Sequence, residues 1–122
     1  MKERTYTREE AEAMLPGLRE RLERIRSNRQ IMLRAAERIT GQVASDGGGH
    51  FGSDYWAASR GLKEDLERLA RDNVLLRDPE AGLIDFPSER DGRPVFLCWR
   101  LDEERVGSWH EIEAGFFGRK PL

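Results

Sequence analysis

Apolar side chains recur at alternating steps of three and four along the first part of the chain. This regularity limits the folds open to it more than any other feature. Leu15, Leu18, Leu22 and Ile25 lead to a charged interruption at Arg29; Met32, Ala36, Ile39 and Val43 then resume the stripe. Such spacing turns one face of an α-helix toward a partner, as in a coiled-coil seam. Ser59, Leu62, Leu66, Leu69 and Asn73 repeat it beyond a glycine-rich stretch at 45–53. Two amphipathic helices joined by a short loop predict an antiparallel hairpin.

Thr7-Arg8-Glu9-Glu10 is a capping box, in which the cap hydroxyl and the Glu10 carboxylate each take a free backbone N–H. A short helix is expected over about 8–14. Pro16 has no N–H to give and disfavours helix at Leu15, which predicts a break before a long helix over 17–44. The second helix is expected over 54–72, with Tyr55 and Trp56 at its start. Arg29, in the seam, is expected to pair with Asp65 or Glu64 and fix the register. At 1.5 Å per residue the two long helices span roughly 40 and 28 Å. The first therefore outreaches the second near Leu18, Leu22 and Ile25. That surface needs a cover: the C-terminal part of the chain, the short first helix, or a second copy in a homodimer through the first long helix.

From residue 74 the period changes. Val74-Leu75-Leu76 is a short apolar run, and Asp78-Pro79-Glu80-Ala81-Gly82 reads as a turn. Segments 83–86, 95–101 and 108–112 read as strands, and 4–6 as a further edge. Pro87 and Pro94 are expected to bracket a connection turning at Asp91-Gly92. Alternation puts Val95, Leu97, Trp99 and Leu101 on one face of their strand and Phe96, Cys98 and Arg100 on the other. The predicted fold is α+β: a long antiparallel helical hairpin with a small C-terminal antiparallel β-sheet of two to four strands. It forms one domain over 1–122, with a helical scaffold over about 7–73 and a β-rich module over about 74–122.

Gly82-Leu83-Ile84-Asp85-Phe86-Pro87, Leu97-Cys98-Trp99-Arg100, Trp109-His110 and Gly115-Phe116-Phe117-Gly118-Arg119 follow a Thr-x-Glu-Glu-Ala helix start that ends in Leu15-Pro16. This set, over nearly the whole chain, resembles the bacterial and archaeal family of short proteins known as domain of unknown function 2203. The resemblance implies a helical scaffold with a small C-terminal module, and no activity. It also leads to Gly-Glu after Leu-Cys-Trp-Arg-Leu, where this chain has Asp102-Glu103.

The charge balance, 21 basic against 23 acidic side chains, has no single sign to cluster on a face and argues against general nucleic-acid or membrane-surface binding. One Cys cannot form an internal disulfide, which points to a reducing, cytoplasmic home. The opening Lys2-Glu3-Arg4 is not a secretory signal, and no run approaches the roughly 20 apolar residues of a membrane span.

The residues that bear chemistry crowd into the C-terminal module. Asp85, Trp99, Arg100, Trp109, His110 and Arg119 are the expected contact site for a protein partner or a small anionic ligand. Aromatic rings beside Arg suit stacking and bidentate hydrogen bonds. Arg119 should seek a carboxylate: Asp85 or Glu113 within the chain, or an external anion. Cys98, His110 and Glu113 carry metal-ligand atoms and form the alternative, a small metal-binding protein, with His50 as a further donor. There is no Cys-x-x-Cys and no His-x-x-x-His, and Cys98 is equally suited to be a small buried hydrophobe. As a nucleophile with His110 it is poorly placed between Leu97 and Trp99. Neither Gly47-Gly48-Gly49 nor 115–119 is followed by the Lys-Ser/Thr of a phosphate loop. No cofactor is expected. The reading is a non-enzymatic, cytoplasmic binding or assembly module.

Overall fold

A computed structural model describes residues 4–46 and 51–122, with side chains 42–46 outside the description. The side chain of Val43, and residues 47–50 of the expected loop with His50 among them, therefore lie outside the description. Helices α1 (Arg8–Asp46) and α2 (Ser53–Arg71) precede strands β1 (Leu75–Asp78), β2 (Leu83–Arg90), β3 (Arg93–Arg100), β4 (Ser108–Glu111) and β5 (Lys120–Pro121). A 3-10 turn, Phe116–Gly118, sits between the last two. The sheet is an antiparallel meander in the order β1-β2-β3-β4-β5. The architecture is α+β with a C-terminal sheet, one strand larger than the expected upper limit. No helix among the described residues is long and apolar enough to cross a membrane.

The capping box forms: Thr7 N–H donates to Glu10 Oε1 (2.8 Å), and Glu10 N–H donates to Thr7 Oγ1 (3.1 Å). The expected break at Pro16 does not occur, and α1 runs through it. Proline removes one backbone hydrogen bond, at a cost of about 3 kcal/mol. The helix turns on either side bury Ala11, Leu15, Leu18 and Leu22 at 4% exposure or less, and that burial outweighs the loss. At the far end of the hairpin, α2 closes in a Schellman motif. Asn73 takes the left-handed conformation (φ 56°), with Val74 N–H to Leu69 O and Asn73 N–H to Ala70 O.

The expected overhang at Leu18–Ile25 does not occur, because α2 runs beside that stretch and pairs Asp65 with Arg21 and Arg24; the sheet covers its remaining apolar face. Leu15, Leu18, Leu22 and Ile25 share one core with Tyr6, Leu69, Val74, Ile84, Phe86, Val95, Leu97, Trp99, Val106 and Trp109. The inner face of the sheet is thus the alternating set 84, 86, 95, 97, 99 and 109, as the sequence reading of β3 requires. Arg19 clamps helix to sheet. Its guanidinium lies 4.9 Å from the Trp99 ring centre and donates to the carbonyls of Leu101, Glu103 and Glu104.

The seam between the helices departs from expectation. On α2 the buried residues are Ala58, Asp65 and Leu69, while Leu66 is 39% exposed. On α1 it is Ala35, not Ala36, that is buried; Met32 and Ile39 are only partly covered. Asp65 pairs with Arg21 and Arg24, and Arg29 reaches Glu80 in the β1–β2 turn instead. The small residues Ala35, Ala58 and Gly61 let the helices approach closely; a Cβ at Gly61 would lie 2.8 Å from Asn28 Nδ2. The buried face of α2 therefore runs through Ala58, Asp65 and Leu69 rather than along the stripe its leucines mark.

Pro87 and Pro94 lie inside β2 and β3 rather than bracketing the hairpin, whose turn is Asp91-Gly92 with both φ positive (53° and 76°). Pro87 is tolerated because its backbone faces away from β3: its carbonyl accepts Tyr6 N–H on the opposite edge. Residues 4–6 therefore dock along β2 without forming a strand.

Candidate binding site on the outer face of the sheet

Alternation sends the side chains between the core positions to the other face of the sheet. There Asp85 of β2 is the cross-strand neighbour of Cys98 of β3, and Phe96 is the neighbour of His110 of β4. Three adjacent strands thus bring Asp85, Cys98 and His110 together, each 2% exposed or less. One ligand atom from each lies within 4.8 Å of the others.

The cluster is hydrogen-bonded throughout. His110 Nε2 is 3.0 Å from Asp85 Oδ1, and His110 Nδ1 is 2.8 Å from the Glu111 carbonyl. Both ring nitrogens therefore face oxygen acceptors. Asp85 Oδ2 accepts from Arg77 Nε at 2.9 Å. Arg119 places NH1 4.0 Å from Cys98 Sγ and grips Glu103 with two bonds of 2.8 and 3.1 Å. Burial, and then the Asp85 carboxylate, push the Cys98 thiol up to about 11 against the opposing pull of Arg119. Cys98 is a neutral, covered thiol in this arrangement. The Glu103 carboxylate raises Arg119 above the usual guanidinium range.

Above this floor lies a concavity of about 300 Å³ lined by Arg77, Asp85 and His110 with Leu83, Ile112, Glu113, Gly115 and Phe116. Gly115 turns the chain there at φ 67°. The Phe116 ring lies 4.5 Å from the Arg119 guanidinium and 5.4 Å from that of Arg100. Arg77 stacks its guanidinium 5.1 Å from the Phe96 ring.

Of the residues expected to form a contact site, Asp85 and His110 meet directly. Arg119 stands beside them through Cys98, and Arg100 borders Phe116 while pairing with Asp102. Trp99 and Trp109 are on the opposite face. Trp99 is fully buried under Arg19, and Trp109 lies between Arg90 and Lys120 at 4.6 and 5.1 Å. Arg119 takes neither Asp85 nor Glu113 but Glu103. Glu113 is exposed on the rim and stands outside the Asp85–Cys98–His110 group.

Two residues that matter here were not foreseen. Arg77 reaches Asp85 only because β1 continues to Asp78 with an irregular register after Leu76, which the short run 74–76 does not announce. Glu103 accepts from Arg100 N–H and closes the turn after β3, with Glu103 N–H to Arg100 O. Asp102, where the resemblance led to glycine, therefore needs no positive φ.

No curated protein and no solved structure matches this chain. A family described as "Uncharacterized conserved protein (DUF2203)" matches residues 4–122. The match spans both helices and every strand, so the chain belongs to that family.

Proposed function

We propose that the protein is a non-enzymatic binding module whose contact site is the concavity over Asp85 and His110, and that it takes a small ligand bearing a carboxylate or phosphate. The observation that carries this reading is the state of Arg77. Its guanidinium rests on Phe96, only its Nε is hydrogen-bonded among the described residues, to Asp85, and its side chain is 45% exposed at the pocket. Its two terminal nitrogens have no hydrogen-bond partner among the described residues. A guanidinium held in place at one edge and open at the other is preorganised for a bidentate anion contact. Leu83, Ile112 and Phe116 add an apolar wall, as small-ligand sites need. The lone, covered Cys98 suits a reducing, cytoplasmic compartment.

A homodimer belongs to this reading only in altered form. Leu18, Leu22 and Ile25 are covered by the chain's own sheet. Pairing would therefore use the outer half of the hairpin, where Leu33, Trp56 and Leu66 are exposed.

The test is calorimetric titration of the full chain with inorganic phosphate, acetate and benzoate, repeated with Arg77→Gln. The reading expects saturable binding of at least one anion, lost in the variant with its fold intact. Absence of binding, or equal binding by the variant, rejects it.

A further inference from the structure

The Nε2–Oδ1 contact between His110 and Asp85 brings an imidazole nitrogen and a carboxylate oxygen to 3.0 Å, while Nδ1 already faces the Glu111 carbonyl. If Nδ1 carries the ring proton, as that carbonyl favours, Nε2 and Oδ1 present lone pairs to each other. That arrangement is satisfied by a second proton, on the ring or on the carboxylate, or by a metal ion between the two atoms.

The surroundings match the last of these. A histidine that ligates a metal through Nε2 donates its other N–H to a backbone carbonyl or carboxylate, and a ligating carboxylate is itself hydrogen-bonded on its other oxygen. His110 has the first feature through Glu111, and Asp85 has the second through Arg77. Cys98 Sγ completes a set of three different donors on three neighbouring strands, with Arg119 close enough to steady a thiolate.

We propose that Asp85, Cys98 and His110 form a binding site for a single divalent ion of the zinc class, held through Asp85 Oδ1, Cys98 Sγ and His110 Nε2. The mixed O, S and N donors select a borderline ion such as Zn²⁺ over Ca²⁺ or Mg²⁺, which take oxygen ligands. One carboxylate and one thiolate neutralise the dication, and the Cys98 proton leaves to solvent as the ion enters. Tetrahedral bonds of zinc length set ligand atoms about 3.3–3.7 Å apart. The His110–Asp85 contact must therefore open by a few tenths of an ångström and the sulfur close by up to about 1 Å. Asp85 and His110 line the pocket, so a fourth ligand, water or a ligand anion, approaches from there. The neighbouring charges are balanced: Arg77 and Arg119 oppose the ion, and Glu103 and Glu113 favour it. This site does not depend on anion binding at Arg77.

The test uses the full chain without a polyhistidine tag, stripped with a chelator and titrated with Co²⁺ alone. The proposal expects one equivalent to bind, with a thiolate-to-cobalt charge-transfer band that Zn²⁺ abolishes on displacing the cobalt. Cys98→Ser should remove the band. His110→Gln and Asp85→Asn should weaken binding by more than the roughly 10–100-fold that outer-sphere partners control. Glu113→Gln, on the rim, should change affinity little. Folded wild-type protein that gives no saturable one-equivalent binding, or no charge-transfer band, overturns the proposal even if every variant fails to fold. Binding unchanged in Cys98→Ser and His110→Gln overturns it as well. Phosphate titrated into the metal-free protein reports on Arg77 separately, so the two failures are distinguishable.

Discussion

Arg24 holds the carboxylate of Asp65 across the helical hairpin by two hydrogen bonds, of 2.9 and 3.1 Å, and Arg21 adds a third at 2.9 Å. Asp65 is 6% exposed, while Leu66, the neighbour that the leucine spacing puts in the seam, is 39% exposed. A buried carboxylate with three charge-assisted bonds tolerates its burial, but it does not tolerate losing its partners. Asp65→Asn should lower stability by about 1–3 kcal/mol in denaturant unfolding. A double-mutant cycle with Arg24→Gln should show strong coupling. Additive effects would mean that the pair is incidental.

The hydrophobic centre lies between α1 and the sheet, not along the hairpin. Leu22 is 1% exposed and belongs to the shared core. Leu22→Ala should cost about 2–5 kcal/mol. Leu66→Ala, at a site 39% exposed, should cost less than about 1 kcal/mol. Urea titration of the two variants decides the matter, and the reverse ranking would place the core in the helix seam.

Gly82 ends the Asp78 turn at φ 67°, and a Cβ there would lie 2.5 Å from Leu101 Cδ1. Gly82→Ala combines backbone strain with a clash and should cost about 2–5 kcal/mol. Gly92, at φ 76° with open space around it, isolates the strain alone; its alanine variant should cost about 1–2 kcal/mol. Equal losses at the two positions would show that the Leu101 side chain yields freely.

Arg119 ties the C-terminal tail to the turn after β3 through Glu103. Because that carboxylate lies within the chain, Arg119→Ala should lower stability, by about 1–3 kcal/mol. It should also speed proteolysis near 115–122. Unchanged stability would leave Arg119 free to serve an external anion.

Much of this fold was legible in the chain because its cues are local. The capping box at Thr7, the change of period at residue 74, the turn at Asp91-Gly92 and the alternation through β3 each rest on a few neighbouring residues. What escaped depends on distant partners. Pro16 stays helical because of a sheet some seventy residues on. Leu66 yields its place to Asp65 because two arginines of α1 wait there. The site was half visible. Asp85, His110 and Arg119 stood out by residue type. The two Trp did too, but strand register sends them to the opposite face, and the roles of Arg77 and Glu103 are set by pairing across strands.

The central claim is that the outer face of the sheet, above Asp85 and His110, is where this protein meets its ligand. Nitrogen-15 NMR of the full chain, titrated with phosphate or benzoate, tests it most directly. The account predicts saturable shifts at Arg77, Asp85, His110, Ile112 and Phe116, with the Arg77 side-chain Nε signal among the largest and α2 unmoved. Shifts confined to the hairpin, or none at this pocket at millimolar anion, would contradict it.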